Sequence, residues 1–205
     1  MQLNNINQLK ITDDKTNEVY YGCNQEWYRN IWKQKAGCGP SAVCNIFMYI
    51  FYKRLFGSSN IINKTKAVAL MDEIWHYVTP SIRGVNTTKM LYDGALEYAK
   101  SKGLYLNYFV LDIPQDKSLR PKIDEAARFI THGIEADCPI AFLNLCNGEE
   151  KSLYRWHWVT IVEIDAKNID NSIICILDEG KILYINLSLW LKTTTLGGGF
   201  VYFTI

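Results

Sequence analysis

Apolar residues follow two different rhythms along this chain, and the change comes near its middle. Between residues 38 and 56 they come too densely for an alternating strand. Pro40 sits where the first turn of a helix tolerates proline, and Gly57 follows as a stop, so the pattern predicts a buried helix over 38–56. Two more helices are predicted at about 63–77 and 87–102. The second opens on Asn86-Thr87-Thr88 and closes at Lys102-Gly103, with cap chemistry suited to each end. After Gly103 the period shortens. Residues 104–111 read as a strand and 121–136 as an amphipathic helix entered through Pro121. Strands follow at about 139–145, 155–164, 173–178, 181–186 and 199–204, with a helical turn near 188–193. Helices followed by consecutive antiparallel strands make an α+β protein. The expected layout is a single domain over 1–205: an arm or short strands at 1–22, a mainly helical lobe at 23–103 that starts with a loop rich in Trp and Tyr over 23–37, and a mainly β lobe at 104–205.

Composition supports a packed core and narrows the partners. The chain has 205 residues, of which 48% are hydrophobic and 13% aromatic, enough to bury a core and too many for a disordered segment. Lys and Arg number 22 against 21 Asp and Glu, for a net charge of +1, and no basic block marks a phosphate-tracking stripe. A nucleic-acid partner is not expected. The first residues lack a basic segment followed by an apolar one, and the longest apolar run, 46–51, stops at Lys53-Arg54, too short to span a bilayer. A cytoplasmic protein without a membrane partner is expected. The six cysteines are scattered with no CxxC pair, which favours reduced thiols over a disulfide framework and offers no metal-ligand spacing.

One of those cysteines has a distinctive setting. In Gln34-Lys35-Ala36-Gly37-Cys38-Gly39-Pro40, glycines flank Cys38 and a proline opens the helix behind it. Glycine lets the chain turn sharply and shields the sulfur little. At a helix N-terminus the unpaired N–H groups and the dipole favour thiolate over thiol and can receive the oxyanion of a tetrahedral intermediate. Gly37 and Gly39 would then border the substrate. Gln34, four residues upstream, could supply a second oxyanion donor, or be a solvated loop residue between lysines. The other five cysteines read as packing residues.

A cysteine nucleophile needs a base, and there are three histidines. His76 and His132 fall on predicted helices and read as surface or packing residues. His157 lies in a β-branched and aromatic strand between Trp156 and Trp158, whose side chains should point to the opposite face. The next strand ends at Asp178. If Asp165 pairs with Asp170 across the polar loop, His157 falls opposite Asp178, with Cβ atoms about 4.5–5.5 Å apart. A carboxylate there takes the imidazole N–H and stabilises the imidazolium. A slip of one residue would separate them, leaving Glu179 or Asp165 as fallback carboxylates. Trp156 and Trp158 could line a substrate groove or simply pack the strand.

With Gly37-Cys38-Gly39-Pro40-Ser41-Ala42, then His157-Trp158-Val159-Thr160-Ile161, then Leu177-Asp178-Glu179-Gly180, the chain resembles the papain-like cysteine peptidase superfamily. More narrowly, it is similar to stand-alone relatives of the bacteriocin-leader-processing (double-glycine) peptidases. The resemblance covers roughly residues 20–205, and the glycine-rich segment before Phe200 looks like the closing strand of such domains. It implies a papain-like fold with Cys38 attacking a peptide or amide carbonyl, His157 shuttling the proton and Asp178 orienting His157. It also implies an upstream glutamine in the oxyanion hole and no cofactor. The family glutamine commonly lies further ahead of the cysteine than Gln34, so Gln25 or a backbone-only hole stays open. Three other readings stay open too: an acyltransferase on the same residues, a catalytically silent binding or regulatory protein, and a structural protein with a coincidental motif. No propeptide or regulatory partner is named by these residues.

Overall fold

A computed structural model describes residues 1–57 and 62–205; residues 58–61, inside the expected helical lobe, lie outside the described residues. The chain is α+β. Its main sheet has six antiparallel strands in the order β4-β9-β5-β6-β7-β8, formed by Asn107–Ile113, Gly198–Thr204, Ile140–Asn144, His157–Asp165, Ile173–Asp178 and Lys181–Asn186 respectively. The C-terminal strand β9 inserts between β4 and β5, so strands consecutive in sequence are not all neighbours in space. The arm contributes β1 (Lys10–Thr12) and β2 (Val19–Tyr21), which join β3 (Ile62–Asn63) in a small second sheet.

The predicted helix over 38–56 is broken. Helix α2 runs Cys38–Ile50 and α3 runs Tyr52–Phe56, with Phe51 leaving helical dihedrals at φ −109 and ψ 24. The ladder bends without stopping, because the Phe51 N–H still reaches the Phe47 carbonyl and the Phe51 carbonyl accepts from Leu55 N–H. A run that is apolar on every side carries no periodic signal that could locate this break. A short helix, α1 (Ile31–Ala36), occupies the expected loop; the Asn30 side chain caps it by accepting from Trp32 and Lys33 N–H. Helices α4 (Lys64–Trp75), α5 (Thr88–Ser101), α6 (Ile123–Glu135) and α7 (Leu187–Thr193) lie close to their predicted spans. Asn63 caps α4 and Thr87 caps α5 through their side chains.

Apolar residues from Leu3 to Phe203 form one continuous buried cluster. Helix α2 lies at its centre, buried from Cys38 to Tyr49 and packed against β6, α4 and α5. Ile46, Phe47 and Met48 are fully buried, each contributing roughly 1.5–3 kcal/mol of hydrophobic stabilisation. That burial holds the start of α2 against the start of β6. Among the described residues, no helix is long and apolar enough to cross a membrane.

Candidate active site

Helix α2 begins at Cys38 with Gly37 as its cap and no capping side chain. The backbone N–H groups of Cys38 and Gly39 therefore have no partner inside the helix, and Pro40 has none to offer. The flanking glycines are required by contact, not by the sharp turn expected for them. Gly37 has an ordinary φ of −84, but a Cβ there would lie 2.6 Å from a Tyr28 ring carbon and 2.4 Å from the Lys33 carbonyl oxygen. A Cβ on Gly39 would meet Val85 Cβ at 2.8 Å. Both glycines are buried, and neither borders the recess or the groove described below.

Asn45, two turns along α2, ties the helix to its surroundings. Its Oδ1 accepts from Cys23 N–H at 2.7 Å and its Nδ2 donates to Thr160 Oγ1 on β6 at 3.0 Å. Strand β6 starts at His157. Its pairing with β7 departs from the expected register: Asp165 pairs with Ile173, a bulge follows between Ile161 and Glu163, and Thr160 then pairs with Leu177. Continued by one residue, this sets Val159 across from Asp178 and His157 two positions further along. The departure is an even number of residues, so His157 and Asp178 keep a common face. His157 Nε2 lies 2.6 Å from Asp178 Oδ1.

Asp178 is the last residue of β7, held by a two-residue hairpin turn in which Glu179 and Gly180 take φ of 48 and 78. The N-terminal arm braces this turn. Tyr21 N–H donates to the Gly180 carbonyl at 2.8 Å, and Asn24 Nδ2 to the Glu179 carbonyl at 3.2 Å.

Cys38, His157 and Asp178 are 8%, 7% and 6% exposed and meet at a recess of about 10 Å³, the size of one water or one substrate oxygen. Burial alone would push the His157 imidazolium down. The Asp178 carboxylate held against the ring, with the Cys38 sulfur nearby, outweighs that and raises it from 6.5 to about 10. With Nε2 taken by Asp178, Nδ1 is the ring atom left for the sulfur.

Gln34 does not reach this recess. Its Nε2 donates to the carbonyls of Tyr28 at 2.7 Å and Glu26 at 3.2 Å, which uses both amide hydrogens. Those bonds fasten the short 3-10 helix Gln25–Trp27, and Gln25 is the glutamine that borders the recess. Asn45 also borders it, but with its amide committed as above. The Gln25 Oε1 is buried with no hydrogen-bond partner among the described residues.

On the other side of Cys38 opens a groove of about 670 Å³, bordered among others by Trp32, Lys35, Ile82, Arg83, Leu145 and Trp156. Trp156 stands at its mouth, 49% exposed, with φ 57. It precedes β6, so strand alternation does not govern it. Trp158 is buried and does not border the groove; its indole N–H donates to the Val85 carbonyl and anchors the loop that forms one wall. Nothing in the sequence flags Asn45 or the Val85 loop, because each acts across a long separation along the chain.

The remaining titratable candidates lie elsewhere. His76 and His132 are exposed on helix ends. All six cysteines are free and buried. Burial pushes the Cys146 thiol up, yet the Thr195 hydroxyl, N–H groups of Gly148 and Thr195, and Arg155 bring it down to about 7. Among the described residues, no three His, Cys, Asp or Glu side chains converge as metal ligands. No protein-family model and no curated protein matches this chain, so its chemistry is read from the geometry of Cys38, His157 and Asp178 alone.

Proposed function

We propose that this chain is a cysteine hydrolase of papain-like fold that cleaves a peptide or related amide bond. The observation that carries the reading is a buried convergence: His157 Nε2 lies 2.6 Å from Asp178 Oδ1, and both border one recess with Cys38 at the start of α2. A packing histidine needs neither a carboxylate behind it nor a thiol at a helix start before it.

The Cys38 thiolate attacks the substrate carbonyl carbon, and the carbonyl π electrons move onto oxygen. The Cys38 backbone N–H and the Gln25 amide stabilise that oxyanion. On collapse, the C–N bond breaks, and the His157 imidazolium gives its proton to the departing amine, leaving an acyl-thioester on Cys38. His157, now neutral, takes a proton from water as the water oxygen attacks the thioester; the acid leaves and the thiolate–imidazolium pair is restored. Asp178 holds the ring and stabilises its charged form throughout.

The test is alkylation with iodoacetamide at pH 6, with the labelled residue located by mass spectrometry, in a Cys146→Ser background that removes the thiol lowered to about 7. Cys38 should label first, and His157→Ala should slow it at least tenfold. Labelling of Cys38 no faster than the four remaining cysteines, or indifferent to His157→Ala, would overturn the proposal.

A further inference from the structure

We infer that the groove beside Cys38 selects substrates carrying a carboxylate side chain next to a bulky apolar one, with Lys35 and Arg83 as the residues that set this preference. The inference rests on the hydrolase reading and names the substrate class of that site.

Charge over the whole chain is nearly balanced, at 22 basic against 21 acidic residues. The groove departs from that balance: Lys35 and Arg83 border it and no carboxylate does. What sets Lys35 and Arg83 apart is their place beside the sulfur; some lysines elsewhere are paired, as in Lys33–Asp72 at 2.7 Å, Lys64–Asp13 at 2.8 Å and Lys102–Glu73 at 2.7 Å. Lys33, two residues from Lys35, turns away to its partner on α4. Among the described residues neither Lys35 nor Arg83 has a side-chain ion pair or hydrogen bond.

Arg83 is displayed on a rigid mount. The turn Ser81–Gly84 closes on itself through Ser81 N–H to Gly84 carbonyl at 3.1 Å and the reverse bond at 2.9 Å, and Arg83 N–H adds a bond to Ser81 Oγ at 3.2 Å. The next residue, Val85, is pinned between Gly39 and the Trp158 indole. The backbone that carries Arg83 is therefore fixed relative to Cys38, and its guanidinium is free to take a carboxylate in planar, bidentate fashion.

The rest of the groove is apolar and open. Trp32 is 46% exposed and Ile82 95%. Neither buries that surface against the protein, although both adjoin the sulfur's own groove. Trp156 holds a positive φ that bulky residues seldom adopt. Large apolar surface kept open beside unpaired cations on fixed backbone matches a peptide whose carboxylate and apolar side chains are adjacent.

The test uses chloromethyl ketones of acetyl-Leu-X-Gly and acetyl-X-Leu-Gly, with X as Glu, Gln or Lys; the Cys38 sulfur displaces chloride and forms a thioether. Rates are expressed relative to iodoacetamide labelling of the same protein. In the better of the two frames, the Glu probe should react about tenfold faster than Gln, with Lys slowest, and 0.5 M salt should narrow the spread. The double variant Lys35→Glu/Arg83→Glu should reverse the order of Glu and Lys. Equal rates for all three probes in both frames, with iodoacetamide still labelling Cys38 first, would overturn this inference and leave the hydrolase reading standing. Failure of iodoacetamide to single out Cys38 in the Cys146→Ser background, with Lys35 and Arg83 intact, would overturn both.

Discussion

Replacing Asp178 by Asn tests the electrostatic core of the site. Asparagine preserves the volume and can still accept from the imidazole N–H, so the change removes charge and little else. Burial pushes the His157 imidazolium down, while Asp178 and Cys38 push it up harder, for a net rise from 6.5 to about 10. At about 1.4 kcal/mol per pH unit, that rise corresponds to roughly 5 kcal/mol favouring the charged ring in the folded protein. An opposite charge at hydrogen-bond distance typically accounts for ~1–3 pH units, so Asp178→Asn should lower the midpoint by that amount.

The same change reshapes stability against pH. The folded value is raised above the unfolded one, so this stabilisation is fully present below about pH 6.5 and is lost as pH climbs toward about 10. In the variant the window shortens from its alkaline end. Histidine ring NMR between pH 5 and 11 is the direct assay, because there are only three histidines and His76 and His132 are exposed references. Urea melts at pH 6, 8 and 10 give the stability arm. A native His157 midpoint near 6.5, or one that Asp178→Asn leaves in place, would refute the reasoning.

Two further outcomes follow from contacts around the site. Gln25→Ala should cut turnover of a peptide substrate by about 10²–10³ with an unchanged melting temperature, as loss of one oxyanion donor does, whereas Gln34→Ala should act mainly by loosening the Gln25–Trp27 turn and so lower both together. Equal effects of the two on turnover with no thermal change would put Gln34 back in the oxyanion hole. Gly39→Ala places a methyl 2.8 Å from Val85 Cβ, so its urea midpoint should fall by an amount equivalent to about 1–3 kcal/mol, and Val85→Ala in the same protein should recover part of it.

Where neighbouring residues decide structure, the sequence is informative. Strands β7 and β8 occupy the predicted 173–178 and 181–186, because short isoleucine-rich runs bounded by a tight turn leave little choice. Helix α5 lies within its predicted span because Thr87 and the Lys102-Gly103 exit supply both caps. The α1 helix was visible only as Asn30 ahead of Ile31 and Trp32, a signal hidden in an aromatic-rich stretch. The hairpin register was misread because a polar loop of uncertain length and a bulge both shift pairing, and neither leaves a periodic trace.

The sequence by itself determined an α+β chain, a cysteine at the start of a buried helix, a histidine on a strand and an aspartate at the end of the next one. Each depends on residues within a few positions, through glycine, proline, capping and alternation. Only the tertiary structure decided which glutamine borders the sulfur, why Gly37 and Gly39 must be glycine, and that Trp158 anchors a wall while Trp156 stands open. It also brought Lys35, Arg83 and Leu145 to one groove and slid β9 between β4 and β5. These are outcomes of packing between segments tens of residues apart, where shape and volume select the neighbours and local pattern carries no record of them.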